Sequence, residues 1–118
     1  MEIKEADIVL CEFYFTDLNS SKKRPVLVFK DNLPYDDFIA IPISSKITNL
    51  KVDEFLLEND DFKNGNIPKV SKIMLRKTFV VSKKVVLKKY GTLYQNSFSQ
   101  YKSNFCEYFN CNNLKLND

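Results

Sequence analysis

Three short runs of β-branched and aromatic residues, each closed by turn formers and each too brief for a helix, constrain most strongly how this 118-residue chain can fold. Along residues 8–15, Val9, Cys11, Phe13 and Phe15 alternate with Ile8, Leu10, Glu12 and Tyr14, the period-two pattern of a strand with one strongly apolar face. Residues 25–29 and 38–43 are nearly continuous apolar runs, which suits strands buried on both faces. Between them Asn32, Pro34 and the pair Asp36-Asp37 mark a turn. Residues 48–57 are a candidate for a further strand, ended by the polar stretch 60–66. Residues 72–76, 78–81 and 84–88 follow as β runs, with a corner at Ser82-Lys83.

One segment has helical spacing. Ser97 with Gln100 has the form of a capping box, and Phe98, Tyr101, Phe105, Tyr108 and Phe109 then fall on one face of a helix over 97–109. An aromatic stripe of this kind packs as core or as a dimer contact. The Asn-rich residues 110–118 read as a disordered tail, which leaves 1–109 as a single domain. The fold class is therefore mainly β with a C-terminal helix: a small, strongly bent sheet or barrel with the helix packed over one opening.

Composition narrows the chemistry. Histidine is absent, which removes the usual neutral-pH base, the commonest metal ligand and every Ser-His or Cys-His pair. The acids cluster in loop-like places such as Asp36-Asp37 and Asp60-Asp61 without EF-hand spacing, so no metal and no cofactor is expected. Cys11, Cys106 and Cys111 are odd in number and lack metal-type spacing. They read as reduced thiols of a cytoplasmic protein, with Cys11 in the core. No apolar stretch approaches the ~20 residues of a membrane span, so no membrane partner is expected.

The charge distribution raises a question. Residues 69–89 hold eight basic side chains and no acid, whereas 31–61 hold eight acids. Such a split predicts a dipolar surface whose basic side attracts a polyanion, or else a solvated face whose lysines alternate with core residues. Arg24 poses the same choice at close range. It lies where the basic stretch Lys22-Lys23-Arg24 meets an apolar strand, read here as a loop-to-strand junction. There its planar fork suits a phosphate, and the plain alternative is a solvated cation.

Ala6-Asp7-Ile8-Val9-Leu10, Phe15-Thr16-Asp17, Lys23-Arg24-Pro25-Val26-Leu27-Val28 and Ile41-Pro42-Ile43-Ser44-Ser45-Lys46 occur in that order. They are followed by Ile67-Pro68-Lys69, Ser71, the run 77–89 and Gly91-Thr92-Leu93. Together these resemble the successive signatures of the MazF/PemK family of toxin-antitoxin ribonucleases, over roughly residues 6 to 109. The resemblance implies an SH3-like barrel of the MazF/PemK/CcdB type with a C-terminal helix. It also implies a homodimer that cleaves single-stranded RNA, mRNA included, without metal, and a cognate antitoxin that occupies the RNA groove. The family's arginine falls on Arg24 and its hydroxyl residue after Pro-Ile falls on Ser44, the two catalytic candidates. RNA contact is assigned to Phe15, Thr16, Asp17, Lys22, Lys23, Ser45, Lys46, Arg76 and Lys77.

Arg24 can stabilise charge on a phosphate and Ser44 can hydrogen-bond it, but neither is an evident proton acceptor. Many relatives carry an aspartate in the strand that here reads Met74-Leu75-Arg76, and an ungapped alignment puts Arg76 in its place. That departure would add a phosphate-binding cation where a base would stand. It keeps open a noncatalytic member that binds RNA or an antitoxin, and the fold alone keeps open a CcdB-like toxin that targets gyrase.

Overall fold

The structure, a computed structural model, describes residues 2–17 and 19–111. Eight strands precede one helix among the described residues: β1 Asp7–Tyr14, β2 Ser21–Lys30, β3 Asp37–Ser44, β4 Glu54–Leu57, β5 Phe62–Gly65, β6 Ser71–Met74, β7 Phe79–Ser82, β8 Val86–Leu93 and α1 Gln95–Phe109. Antiparallel ladders join them in the order β4-β6-β3-β2-β1-β8-β5, with β7 also on β3. Register shifts in the β1–β8, β2–β3 and β5–β8 ladders curl this sheet into a half-barrel.

Burial on both faces follows from the period-two alternation of β1, β2 and β3. Ile8, Leu27, Ile41 and Ile43 point into a core shared with Ile73, Leu75 and the helix residues Phe98 and Tyr101. Val9, Cys11, Val26, Val28, Phe38 and Ala40 form a second core on the opposite face. Each fully buried Leu, Ile or Val side chain contributes about 1.5–3 kcal/mol, so the three strands anchor both layers. The thiol of Cys11 is fully buried, as its strand pattern required, and burial pushes its pKa up to about 11.

β3 is the hub. One edge carries β2; the other carries β7 against residues 37–40 and β6 against Ile43 and Ser44. The β runs read over 72–76 and 78–81 thus lie along one edge of β3, but a 3₁₀ turn, Leu75–Lys77, interrupts them. Leu75 is fully buried there, its N–H donates to the Asp53 carbonyl, and its own carbonyl accepts from the Thr78 N–H and hydroxyl. The kink sets β6 and β4 apart from β7. Of the stretch 48–57 only Glu54–Leu57 is strand, because Lys51 and Glu54 close a turn through a pair of backbone and side-chain bonds.

The polar stretch 60–66, expected to be a break, holds β5. Its pairing is non-local: Phe62 lies opposite Leu93 and Gly65 opposite Gly91. These are the two glycines of the chain. Gly65 has φ +74°, and a Cβ there would stand 2.1 Å from the Tyr90 carbonyl oxygen, while one on Gly91 would stand 2.3 Å from the Asn64 oxygen. Only a strand pair without side chains permits that approach.

α1 begins two residues before the expected start, with Tyr94 as N-cap and no side-chain cap. Ser97 does not close a capping box; its hydroxyl donates instead to Asp61 Oδ1 at 2.9 Å. Asp61 also accepts from the Tyr101 hydroxyl, whose pKa is raised by burial and then by that carboxylate. The aromatic stripe packs on the sheet through Phe29, 6.1 Å from Phe98 and 4.7 Å from Phe105 between ring centroids. Asn110, read as the start of the tail, is the left-handed C-cap of the helix; residues 112–118 of that expected tail lie outside the described residues.

Replacing Gly65 with alanine should cost more than about 1 kcal/mol, since the substituent meets backbone and φ is left-handed. A thermal melt checks this; a melt equal to wild type would mean that β5 does not approach β8 so closely.

Candidate nucleic-acid interface

The central cleft arises where β3 changes neighbours. The β2–β3 ladder ends at the pair Val26–Pro42. Pro25, the next residue of β2, lacks an N–H to extend this ladder, and beyond it the strands part: Arg24 stays opposite Cys11 on β1, while Ser44 pairs with Lys72 on β6. Extending the lost register by two residues would set Arg24 across from Ser44. Both border the gap, a cleft of about 480 Å³ that also takes in Lys22, Lys23, Ser45, Lys46, Lys69, Ser71 and Tyr90. Ile43, Ile67, Pro25 and Pro68 supply its apolar parts.

Arg24 therefore sits inside a strand, since β2 begins at Ser21, and not at the loop-to-strand junction read from the sequence. Its guanidinium makes no ion pair among the described residues, and the adjoining Lys22 and Lys23 are exposed as well. Among the described residues no carboxylate lines the cleft. The nearest acid along this ladder, Glu12, lies opposite Lys23 and accepts the Ser21 hydroxyl at 2.7 Å. The Ser44 hydroxyl oxygen accepts the Lys46 N–H at 3.1 Å, which leaves its own hydrogen to donate outward. Cys11, directly across the ladder from Arg24, offers no nucleophile, because its buried thiol stays protonated.

A smaller apolar depression of about 260 Å³ adjoins the cleft, formed by Phe13, Phe15, Val26, Pro42 and Phe79 with Lys22 and Arg24. Arg24 and Lys22 thus border both hollows. Of the residues assigned to RNA contact, Lys22, Lys23, Ser45 and Lys46 line the cleft and Phe15 lines the depression. Thr16 and Asp17 are exposed in the β1–β2 turn, where Asp17 Oδ1 accepts the Asn19 N–H at 3.0 Å. Arg76 and Lys77 lie on the 3₁₀ turn after β6, outside the cleft lining, and Arg76 Nε is 4.0 Å from Asp53 Oδ2. The cleft member from β6 is Ser71.

The acid-free run 69–89 does not make one basic face. Folding brings it against the acidic stretch: Lys72 pairs with Glu54 at 3.0 Å and Lys83 with Asp31 at 2.8 Å, besides the Arg76–Asp53 contact. Lys89 meets the fully buried Asp7 at 3.1 Å. The Glu54 carboxyl is held below its ordinary pKa by the Lys51 N–H and then by Lys72. Three of the run's eight basic residues thus meet acids of 31–61, and Lys69 is the member of the run with a place in the cleft. Tyr90 was missed from the sequence because an aromatic among strand lysines carries no local signal; only the β5–β8 approach puts it at the cleft.

Among the described residues no helix is long and apolar enough to cross a membrane. Comparison with curated protein sequences found no significant match. Solved structures do match in fold. An endoribonuclease in complex with its cognate antitoxin, from a mycobacterial species, aligns with TM-score 0.69 and 11% identity over 98% of this chain and 100% of its own. The Mycobacterium tuberculosis toxin MazF-mt6 aligns with TM-score 0.63 and 14% identity over 86% of this chain and 96% of its own. A MazE-MazF complex from Deinococcus radiodurans aligns with TM-score 0.72 and 12% identity over 92% and 96%. These likenesses match the half-barrel with its terminal helix. A family model for the PemK-like, MazF-like toxin of type II toxin-antitoxin systems matches residues 4–109. With the parted strands, the Arg-Pro and Pro-Ile-Ser segments beside the cleft, and a match that spans all eight strands and the helix, this chain belongs to the PemK-like, MazF-like toxin family.

Proposed function

We propose that the chain is a metal-independent endoribonuclease that cleaves single-stranded mRNA in the cytoplasm, works as a homodimer and is neutralised by a cognate antitoxin. The observation that carries this reading is that Arg24 shares a cleft with Ser44 and several lysines and, among the described residues, has no ion pair and no carboxylate beside it in that lining. Such a lining suits a polyanion and offers none of the carboxylates that usually hold a divalent ion. The reaction that fits uses the substrate's own nucleophile: the 2′-hydroxyl, losing its proton to water, attacks the adjacent phosphorus, and the bond to the 5′-oxygen breaks as that oxygen takes a proton from water. The products are a 2′,3′-cyclic phosphate and a 5′-hydroxyl. Arg24 would hold the nonbridging oxygens as charge develops on them, and the outward hydrogen of Ser44 would donate to one of them. Membership of a toxin-antitoxin family and the neighbours solved with antitoxins support a protein inhibitor that covers the same cations. The apolar depression beside Arg24 is a surface that a second copy would cover.

Arg24→Ala should abolish cleavage in a digest run with excess chelator, with a melting curve close to wild type because the side chain is exposed. Arg24→Lys should restore little, since a point charge cannot replace a bidentate fork. Wild-type cleavage by Arg24→Ala would remove the residue from the mechanism, and products without a cyclic phosphate would rule out the transesterification.

Ser44→Ala should slow the single-turnover step by roughly 100-fold or more, the usual loss for one transition-state donor, while binding of an uncleavable strand changes less. An unchanged rate with weakened binding would make Ser44 a binding residue only.

Cleft cations should contribute to the salt dependence of binding and those outside it should not. Lys69→Gln is expected to lower the slope of log K against log salt by about 0.7, and Arg76→Gln to leave it unchanged. Binding titrations across salt check this, and a larger change for Arg76→Gln would move the RNA path onto the 3₁₀ turn.

A further inference from the structure

The cation-lined cleft explains how a phosphate could be held, but not why one wall of it is aromatic and so firmly built. Tyr90 lies on β8, half-buried against the core that the helix covers, and lines the cleft. Its hydroxyl has no hydrogen-bond partner among the described residues, and Lys88 Nζ stands 5.0 Å from its ring centroid. The backbone behind it is clamped. Gly65 approaches the Tyr90 carbonyl as no other residue type could, and the Asn66 N–H donates to that carbonyl at 3.2 Å. The next residue is tied as well, because the Ile67 N–H donates to Asn59 Oδ1 at 2.9 Å. Pro68 and Lys69 follow directly and line the same cleft, so the clamp that fixes Tyr90 also holds the segment beside it.

We propose that Tyr90, with Pro68 beside it, is the platform of a nucleobase subsite that seats the unpaired base next to the phosphate held by Arg24. The proposal rests on the ribonuclease reading and adds a recognition residue to it. An aromatic ring offers stacking to any base, and a ring held by core packing and a clamped backbone loses little freedom when the base arrives. The cations on the same cleft would hold the flanking backbone, so base and phosphate are gripped from adjoining surfaces. Tyr90 would orient the nucleotide for in-line attack and is a positioning residue, not a proton carrier.

The test uses a short single strand made uncleavable by 2′-O-methylation, with an abasic sugar placed on either side of the scissile phosphate in turn. For the wild-type protein, one of the two abasic strands should bind roughly 5- to 100-fold more weakly than the intact strand. Tyr90→Leu, which keeps apolar bulk against the core, should weaken binding of the intact strand by a similar factor and lose further affinity little when the base is removed. Tyr90→Phe should keep most of the affinity. Equal losses by Tyr90→Leu on intact and abasic strands, or no effect of either abasic position on the wild type, would overturn the subsite. If cleavage still depends on Arg24 in that case, the ribonuclease reading stands and only the subsite falls. A wild-type protein that binds no RNA would overturn both.

Discussion

Strand β3 cannot keep one partner along its whole length, and the site depends on that constraint. Residues 37–40 pair with β7 and residues 39–42 with β2, but past the Val26–Pro42 pair the β2–β3 ladder has no further pairs, and Ile43 and Ser44 pair with β6. Pro25, next along β2, has no N–H to donate across to β3, so the ladder is not continued there. The gap exposes Arg24 without unfolding the strand that carries it, because β1 still pairs with β2 opposite that residue. A cation presented in this way has a backbone fixed on one side and an open cleft on the other. That combination favours charge stabilisation, whose strength depends on donors that need not move.

The rest of the molecule maintains this parting. The 3₁₀ turn at Leu75–Lys77 lets one edge of β3 serve two strands, and its buried Leu75 ties the kink to the main core. The glycine pair closes β5 onto β8 and so brings the Ile67-Pro68-Lys69 segment into the cleft lining. The helix covers the core beneath through Phe98 and Tyr101, and Asp61 links its first turns to the start of β5. Electrostatics follow the same plan. Acids from residues 31–61 pair with Lys72, Arg76 and Lys83, whereas Lys22, Lys23, Arg24, Lys46 and Lys69 meet at the cleft without an ion pair among the described residues.

The central strands were legible in the sequence because their periodicity reflects burial on each face, a local property of consecutive residues. Ile8, Val9 and Cys11, and likewise Val26, Leu27 and Val28, go to the faces that a period of two assigns them. The helix was legible for the same reason, although its start was not. Ser97 has the capping chemistry, but a carboxylate 36 residues away in the chain takes its hydroxyl. Asp60-Asp61 and Asn64-Gly65-Asn66 look like a break because their composition is polar. Pairing with β8 overrides that local preference, and a sequence window cannot contain a partner so distant.

The sequence by itself determined that this chain must fold as curled β structure under one helix. It also set the chemistry available: cations, hydroxyls and aromatics without imidazole. Ordered motifs around Arg24, Pro25 and Ser44 carried the family. Only the tertiary structure decided which cations remain free, that Arg76 faces Asp53 and lies off the cleft, and that Tyr90 and Lys69 join it. The physical reason is that charge pairing and cleft lining depend on distances between residues far apart in the chain, and those distances follow from strand order and register.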